Sequence, residues 1–93
     1  MAHRKKPKKG NPRDMHDLQE KLKKAGVPDN SYYIEKDGKR IGGHPCYEGC
    51  FIENKAGSWI VYSEERGHRY ALGTFRTEEE AAAFFYRKMN GGR

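Results

Sequence analysis

Residues 57–89, GSWIVYSEERGHRYALGTFRTEEEAAAFFYRKM, form the stretch that decides the fold. Residues 59–63 are rich in apolar and aromatic side chains, and residues 64–67 end in a glycine suited to a tight turn. Residues 68–75 are therefore expected to return as an antiparallel strand. Thr77 is followed by three glutamates, which is the capping-box pattern of a helix start. The stretch predicts a strand, a turn, a second strand and a helix.

The two sides of these elements differ in chemistry. Trp59 and Val61 point to one side of the first strand and Tyr62 to the other, because side chains alternate along a strand. We expect the first side to face the core and the second to be available for contact. The helix carries an apolar stripe that is expected to pack on the sheet. Its members are Ala81, Ala82, Phe85 and Met89.

The preceding part of the chain predicts another helix and further strands. A helix is expected over residues 12–26, with Pro12 at an early helical position and an apolar stripe of Met15, Leu18, Leu22 and Ala25. A short strand, a glycine-rich irregular loop and another strand are expected over residues 32–34, 40–49 and 50–53. The predicted fold class is α+β, a small antiparallel sheet of three to four strands packed against an N-terminal and a C-terminal helix.

The net charge of the chain is concentrated at its N-terminus. The 93 residues suffice for one domain and carry a net charge of +6, of which residues 1–11 supply +5. The basic residues of this segment are Arg4, Lys5, Lys6, Lys8 and Lys9. We expect residues 1–11 to be a basic disordered tail and residues 12–90 to be a single α+β domain. Such a tail is typical either of a solvated arm or of a nucleic-acid contact.

Length and composition disfavour several classes of function. A chain this short has a thin core and little room for a deep pocket, so we expect neither an enzyme nor a bound cofactor. No apolar run reaches the length needed to cross a bilayer, and the N-terminus lacks the apolar segment of a secretory signal. A soluble, cytoplasmic protein without a membrane partner is expected.

Histidine and cysteine side chains invite a metal or nucleophile hypothesis. His44, Cys46, Cys50 and His68 have the ligand atoms of a tetrahedral zinc site. Their spacing does not match the paired short spacings typical of zinc knuckles, so no metal site is expected. A Cys–His nucleophile pair would need a lowered thiol pKa and a third group that orients the base, and the sequence indicates neither. Cys50 is expected to be a small core residue.

Residues 59–85 resemble the three-stranded sheet and helix of the plant ethylene-response type of DNA-binding domain. The shared features are W-x-V-Y, L-G-T-F and E-E-E-A-A. That resemblance implies a sheet that reads the major groove with arginines and tryptophans. Here the predicted sheet offers Arg66 and Arg69 among Glu53, Glu64 and Glu65. These carboxylates lie where phosphates would have to approach.

A longer resemblance, over residues 18–89, is to small bacterial α/β proteins encoded beside polymorphic toxins as their immunity partners. It rests on A-G-V-P at residues 25–28, Y-x-I-E at residues 32–35 and G-G-x-P at residues 42–45. A strand with Cys50, the segment at residues 59–67 and the E-E-E-A-x-x-F-F helix complete it. The resemblance implies a protein that binds and occludes a cognate toxin domain and performs no chemistry of its own.

An occluding protein needs aromatic and arginine anchors with complementary charges on a rigid surface. The candidate partner-binding residues are Tyr47, Glu48, Tyr62, Glu64, Glu65, Arg66, His68 and Tyr70. Each has an alternative interpretation, as a half-buried sheet tyrosine or as a charge that solvates a turn. Toxin binding ranks first among the hypotheses. Nucleic-acid binding through Arg4, Lys5, Lys6, Lys8 and Lys9 follows, and a zinc-dependent module is third.

Overall fold

The computed structural model describes residues 11–44 and 48–90. Two helices enclose five strands in the chain order helix, five strands, helix. The elements are α1 (Met15–Lys24), β1 (Tyr32–Lys36), β2 (Lys39–Gly43), β3 (Gly49–Lys55), β4 (Ser58–Glu65), β5 (His68–Phe75) and α2 (Glu78–Met89). The expected α+β class, with one sheet and two helices, is confirmed.

The strands form a single mixed sheet in the order β2-β1-β3-β4-β5. Neighbouring strands are antiparallel except β1 and β3, which are parallel. The expectation of three to four antiparallel strands was therefore wrong in number and in direction. The β1–β2 hairpin returns the chain to the end of the sheet at which β1 begins. Because β2 occupies one edge of β1, β3 starts from that end beside the other edge and runs parallel to β1.

The additional strand is β2, which lies in the segment that was expected to be an irregular loop. Asp37 and Gly38, with φ angles of 53° and 80°, form the tight two-residue turn that joins β1 to β2. Gly42 lies in β2 beside α1, and a Cβ atom at this position would collide with the side chain of Gln19. Glycine here permits close packing of a helix on a strand.

Helix α1 begins later than the sequence suggested. Asp14 is its N-cap and accepts a hydrogen bond of 2.8 Å from the backbone N–H of Asp17, so Pro12 precedes the helix. The capping carboxylate satisfies a backbone donor that has no partner within the helix. Met15, Leu18 and Leu22 are buried as expected. Ala25 is an exposed C-cap residue and lies outside the apolar stripe.

Helix α2 begins as the capping pattern predicted. The hydroxyl of Thr77 accepts a hydrogen bond of 3.1 Å from the N–H of Glu80. Ala81, Ala82 and Phe85 are fully buried, and the rings of Phe85 and Tyr32 pack nearly perpendicular with their centroids 6.5 Å apart. Both helices therefore cover the same face of the sheet, which we call the helix-covered face.

The core lies between the helices and this face. Its sheet residues are Tyr32, Ile34, Ile52, Trp59 and Val61. Cys50 is partly buried and packs against the same cluster, which agrees with its expected structural role. The opposite face of the sheet has no helix on it in the described part of the chain, and we call it the outer face. Among the described helices, none combines the length and apolar character needed to cross a membrane.

Candidate functional site

Six of the seven described candidate residues lie at one end of the sheet, around the turn between β4 and β5. We define the hairpin surface as Glu48, Glu64, Glu65, Arg66, His68 and Tyr70. Cross-strand pairing opposes Glu65 to His68 and Ser63 to Tyr70. Glu48, Glu64 and Glu65 line one shallow cleft of about 360 Å³ together with Gly49, Cys50 and Ser63. Tyr47 lies outside the described residues.

The turn of this hairpin presents its side chains outward. Arg66 and Gly67 have φ angles of 54° and 83°, and such positive values give the two-residue turn whose twist suits antiparallel strands. The first four residues of β5 are all exposed. Tyr70 is the only large hydrophobic side chain among the described residues that is classed as exposed, at 50%. The centroid of its ring lies 6.4 Å from that of His68.

The zinc hypothesis depends on residues that the sheet keeps apart. His44 follows β2 and His68 begins β5, and these strands form opposite edges of the sheet. His44 lies instead 3.6 Å from the carboxylate of the exposed Asp29. No group of three or more histidine, cysteine, aspartate or glutamate side chains is placed to hold a metal within residues 11–44 and 48–90. Cys46, the remaining member of the quartet, lies outside these ranges.

The outer face carries a row of aromatic side chains across its central strands. The ring centroids of Tyr33 and Phe51 are 6.1 Å apart, and those of Phe51 and Tyr62 are 5.2 Å apart with nearly parallel planes. We call these three residues the aromatic row. Phe51 is 6% and Tyr62 7% exposed, so the rings cover one another although no helix lies on them. Tyr62, predicted to lie on a contact surface, thus belongs to this row.

An arginine closes one end of the row. The guanidinium carbon of Arg69 lies 4.2 Å from the centroid of the Tyr62 ring. A guanidinium nitrogen of Arg69 is also 3.6 Å from a carboxylate oxygen of Glu64. Attraction between a cation and the ring face adds to the ion pair. The outer face therefore already holds one guanidinium between a ring and a carboxylate.

The outer face also carries carboxylates that influence the tyrosines. Burial raises the pKa of Tyr62, and the negative charge of Glu53 raises it further, while Arg69 opposes this effect. Burial likewise raises the pKa of Tyr33, and Glu35 adds to the shift both by its charge and as the partner of the phenol in a hydrogen bond. For each phenol, the carboxylates thus add to the effect of burial, which raises the pKa most, and both disfavour the ionised form.

Glu35 and Glu53 were not identified as site residues from the sequence. The signal that could have revealed them is a repeated pattern, Tyr33-Ile34-Glu35 in β1 and Phe51-Ile52-Glu53 in β3. The parallel pairing aligns Tyr33 with Phe51 and Ile34 with Ile52. This register brings the two aromatic rings together, and the alternation of side chains puts Glu35 and Glu53 on the same face of the sheet as these rings.

The arrangement of charges is unlike that of a sheet that reads DNA. Arg69 is held by Tyr62 and Glu64, and Arg40, on the far side of the row, donates a hydrogen bond of 2.9 Å to the carbonyl oxygen of Gly43. The carboxylates of Glu35 and Glu53 lie between these arginines, where phosphates would be repelled. The basic residues at positions 4–9 belong to a segment outside the described residues, and their role stays a prediction.

A larger groove lies away from all the predicted residues, between the end of β5 and α2. Its volume is about 610 Å³, and it is lined by charges of both signs around the Phe75 and Phe84 rings. The centroids of these rings are 5.1 Å apart. The charged members are Arg76, Glu79, Glu80 and Arg87. With mutually compensating charges and rings that pack on each other, this groove indicates no particular ligand.

Comparisons with known proteins yielded no match. No protein-family model, no curated protein and no solved structure is similar enough to this chain to be significant. Arguments about function therefore rest on the surfaces described above.

Proposed function

We propose that this protein is an immunity-type protein that binds and occludes a cognate bacterial toxin domain through the hairpin surface. The observation that carries the proposal is the exposed Tyr70, whose ring lies beside that of His68 on β5, opposite Ser63 and Glu65 of β4. Tyrosine is among the residues that most often dominate binding energy at protein interfaces.

The hairpin suits occlusion because its side chains are held on a paired backbone. After a register shift between Val61 and Tyr62, β4 and β5 pair without interruption from Tyr62 opposite Ala71 to Glu65 opposite His68. A rigid surface loses little conformational entropy on binding, so more of the contact energy appears as affinity. Carboxylates beside the aromatic side chains favour a partner with a basic surface and steer its approach.

Binding alone would account for the function under this proposal. An occluding protein contributes shape and charge complementarity, and it needs no nucleophile or metal of its own. We accordingly place the protein in the cytoplasm of the bacterium that makes the toxin, where it would neutralise toxin before release.

The test begins with capture of partners from the native host on the full chain, with nuclease added and the eluate identified by mass spectrometry. The captured protein is then produced with and without this chain in a sensitive bacterium. We expect growth to be restored by the full chain and affinity to fall by roughly 2 kcal/mol or more with Tyr70→Ala, since exposed aromatic anchors contribute on this scale. A matched control is His16→Ala, on an exposed position of α1.

Two results would contradict this proposal. Failure of the full chain to restore growth would exclude neutralisation of the captured protein, and unchanged affinity of the Tyr70→Ala variant would exclude the hairpin surface.

Nucleic-acid binding through the N-terminal tail is the alternative, favoured by the concentration of positive charge in residues 1–11. The full chain is compared with a variant in which Arg4, Lys5, Lys6, Lys8 and Lys9 are all glutamine. Under the alternative, recovery would be sensitive to nuclease, would weaken steeply with salt and would be lost in the glutamine variant. Under the immunity proposal both chains would retain the same protein partner.

A further inference from the structure

The strongest remaining feature is the outer edge of β5. This strand is the last of the sheet, and with eight residues it is longer than β2, the five-residue strand at the other edge. No strand pairs with the outer edge of β5 within residues 11–44 and 48–90. An edge strand offers a row of backbone N–H and C=O groups to another chain. Proline and lysine, which commonly block such pairing, are absent from β5.

The first half of β5 presents these backbone groups in a regular arrangement. Residues 68–71 are all exposed and precede the register shift of the hairpin. In a hairpin with a two-residue turn, the residues that flank the turn exchange backbone hydrogen bonds, and exchanging and non-exchanging pairs then alternate along the strands. By this alternation, which starts from Glu65 and His68, the backbone groups of Arg69 and Ala71 point away from β4.

The side chains of this segment suit contact with a second copy of the same segment. Tyr70 lies at its middle and is 50% exposed, and the ring of His68 lies beside it with centroids 6.4 Å apart. Arg69 is stacked on Tyr62 and paired with Glu64 of its own chain, so its charge is compensated before any second copy approaches. Aromatic side chains that face each other on neighbouring strands stabilise a sheet.

From this self-complementary edge we infer that two copies of the chain associate by antiparallel pairing of β5 with β5, about a two-fold axis at Tyr70. Arg69 of each copy exchanges backbone hydrogen bonds with Ala71 of the other, and the two Tyr70 side chains face each other in the pair between. The two-fold axis makes every contact twice. Two five-stranded sheets thereby join into one, and the exposed Tyr70 becomes buried.

The same register gives the mixed-charge groove at the end of β5 a neighbour. Counting outward from Tyr70, the turn of one copy, with Glu65 and Arg66, falls next to the end of β5 in the other copy. Thr74 and Phe75 at that end line the groove of about 610 Å³. The turn carries one charge of each sign, and the groove offers opposite charges to both. Its charged residues are Arg76, Glu79, Glu80 and Arg87.

The dimer goes beyond the proposed function and does not depend on it. Tyr70 belongs to the hairpin surface as well, so a copy within the dimer cannot present this side chain to a toxin. Under the proposed function the dimer is therefore the form that the protein takes without toxin, and binding of toxin separates the two copies. This last consequence rests on the proposed function.

The first test is sedimentation of the full chain over about a hundredfold range of concentration, because association follows mass action. The mass is expected to rise from that of one chain, 10.8 kDa, toward twice this value. Ala71→Pro removes an outward N–H without breaking a bond to β4, which an edge strand tolerates. It should weaken the dimer at least about tenfold, since the two-fold axis doubles the loss.

The matched control is Ala71→Val, which keeps the N–H, suits a strand and should leave the dimer intact. Urea unfolding followed by Trp59 fluorescence would establish that each variant is folded.

Cross-linking tests the register. The background is a chain with Cys46→Ser and Cys50→Ala, which removes both natural thiols. Tyr70→Cys in this background should form a disulfide between copies on mild oxidation, because Cα atoms that oppose each other in a non-exchanging pair are about 4.5 Å apart. Arg69→Cys is the control and should cross-link at least about tenfold less, since two copies of residue 69 lie diagonally, about 7–8 Å apart.

Several outcomes would overturn the inference. The mass of one chain at every concentration would exclude the dimer, and a dimer that survives Ala71→Pro would place the contact elsewhere. Equal cross-linking at positions 69 and 70 would refute the register, and growth beyond two copies would refute the closed two-fold arrangement. A chain that stays single, but whose Arg69 and Ala71 amides are protected from exchange by the captured protein, would make a strand of that protein the occupant.

The inference and the proposed function can fail separately. A chain that restores growth but never sediments as a dimer would refute the β5 pairing and leave toxin binding intact. A dimer that is lost in Ala71→Pro, with no captured protein neutralised, would refute the proposed function and leave the pairing intact.

Discussion

Replacement of Glu78 by alanine should destabilise this protein far more than the loss of an ordinary surface glutamate. The Glu78 carboxylate accepts a hydrogen bond of 2.8 Å from the backbone N–H of Met15, at the start of α1. It also receives Lys36 Nζ at 3.2 Å, from the end of β1. Glu78 itself lies in the first turn of α2. One side chain thus joins three elements.

The magnitude follows from these contacts. A hydrogen bond from a backbone donor to a charged acceptor contributes about 1.5–3 kcal/mol. The ion pair with Lys36 contributes at most about 1 kcal/mol, because side-chain exposures of 33% and 22% leave it partly screened. Negative charge at the N-termini of both helices adds about 0.5 kcal/mol. We expect Glu78→Ala to cost about 3 kcal/mol in unfolding free energy and to lower the melting temperature by about 15 °C.

The assay is urea unfolding at neutral pH, followed by the fluorescence of Trp59, the single tryptophan and a buried one at 7% exposure. Glu79→Ala is the matched control, because Glu79 is an exposed carboxylate in the same helical turn and should cost about 0.5 kcal/mol. Lys36→Ala should cost less than about 1 kcal/mol. A double mutant cycle then separates the ion pair from the bond to Met15.

The reasoning would be refuted if Glu78→Ala cost no more than Glu79→Ala. If the cycle assigned the whole loss to Lys36, the bond to the start of α1 would have no energetic role. Glu78→Gln should lie between the alanine variant and the unaltered chain, because the amide oxygen can still accept from Met15 but carries no charge.

Three further predictions concern stability. Gly43→Ala should lower the unfolding free energy by about 3 kcal/mol or more, since Gly43 has a φ of 77° and a Cβ there would collide with the carbonyl oxygen of Tyr32. The control Gly57→Ala, at a φ of 83° with open space around it, should lower it by only about 1 kcal/mol in the same urea assay. Asn54→Ala should cost about 1–2 kcal/mol, because Asn54 exchanges hydrogen bonds of 2.8 Å and 2.9 Å with Asp37, and a loss equal to that of the exposed Lys55→Ala would contradict this. Burial raises the pKa of Tyr32, Tyr33 and Tyr62 in the folded protein, so the unfolded chain releases these protons first as the pH passes about 10. The unfolding free energy should therefore be constant just below that pH and fall above it, and it should fall less steeply in the Tyr62→Phe variant. An unchanged slope in Tyr62→Phe would argue against a contribution of Tyr62 to this pH dependence.

Local elements were predictable where short-range chemistry specifies them. The pattern of Thr77 followed by Glu80 predicted the start of α2, and the Thr77 hydroxyl caps the helix as expected. The alternation of Trp59, Ile60 and Val61 predicted which side faces the core. Segments whose structure depends on packing against another element were harder to predict from the sequence. Gly42 is an example, because a glycine that makes room for a packed helix and a glycine in an irregular loop look alike in sequence.

The residues of the candidate site differ in the same way, since some are brought together by local contacts and others by contacts between distant strands. Apart from Glu48, the hairpin surface was predictable, since the β4–β5 turn brings residues 64–70 together without contacts from the rest of the chain. The outer-face pair of Glu35 and Glu53 was not, although both members of its repeated pattern are visible in the sequence. The two glutamates share a face because β1 and β3 pair in parallel, and these strands are separated in the chain by β2.

By itself, the sequence determined the capped helix α2, the β4–β5 hairpin and the residues that this hairpin presents, because these depend on contacts between near neighbours in the chain. Only the tertiary structure decided that β2 joins the sheet, that β1 and β3 run parallel, and that Glu78 connects α1, β1 and α2. Such contacts join residues far apart in sequence, and their free energy depends on how the elements pack together and not on local propensity.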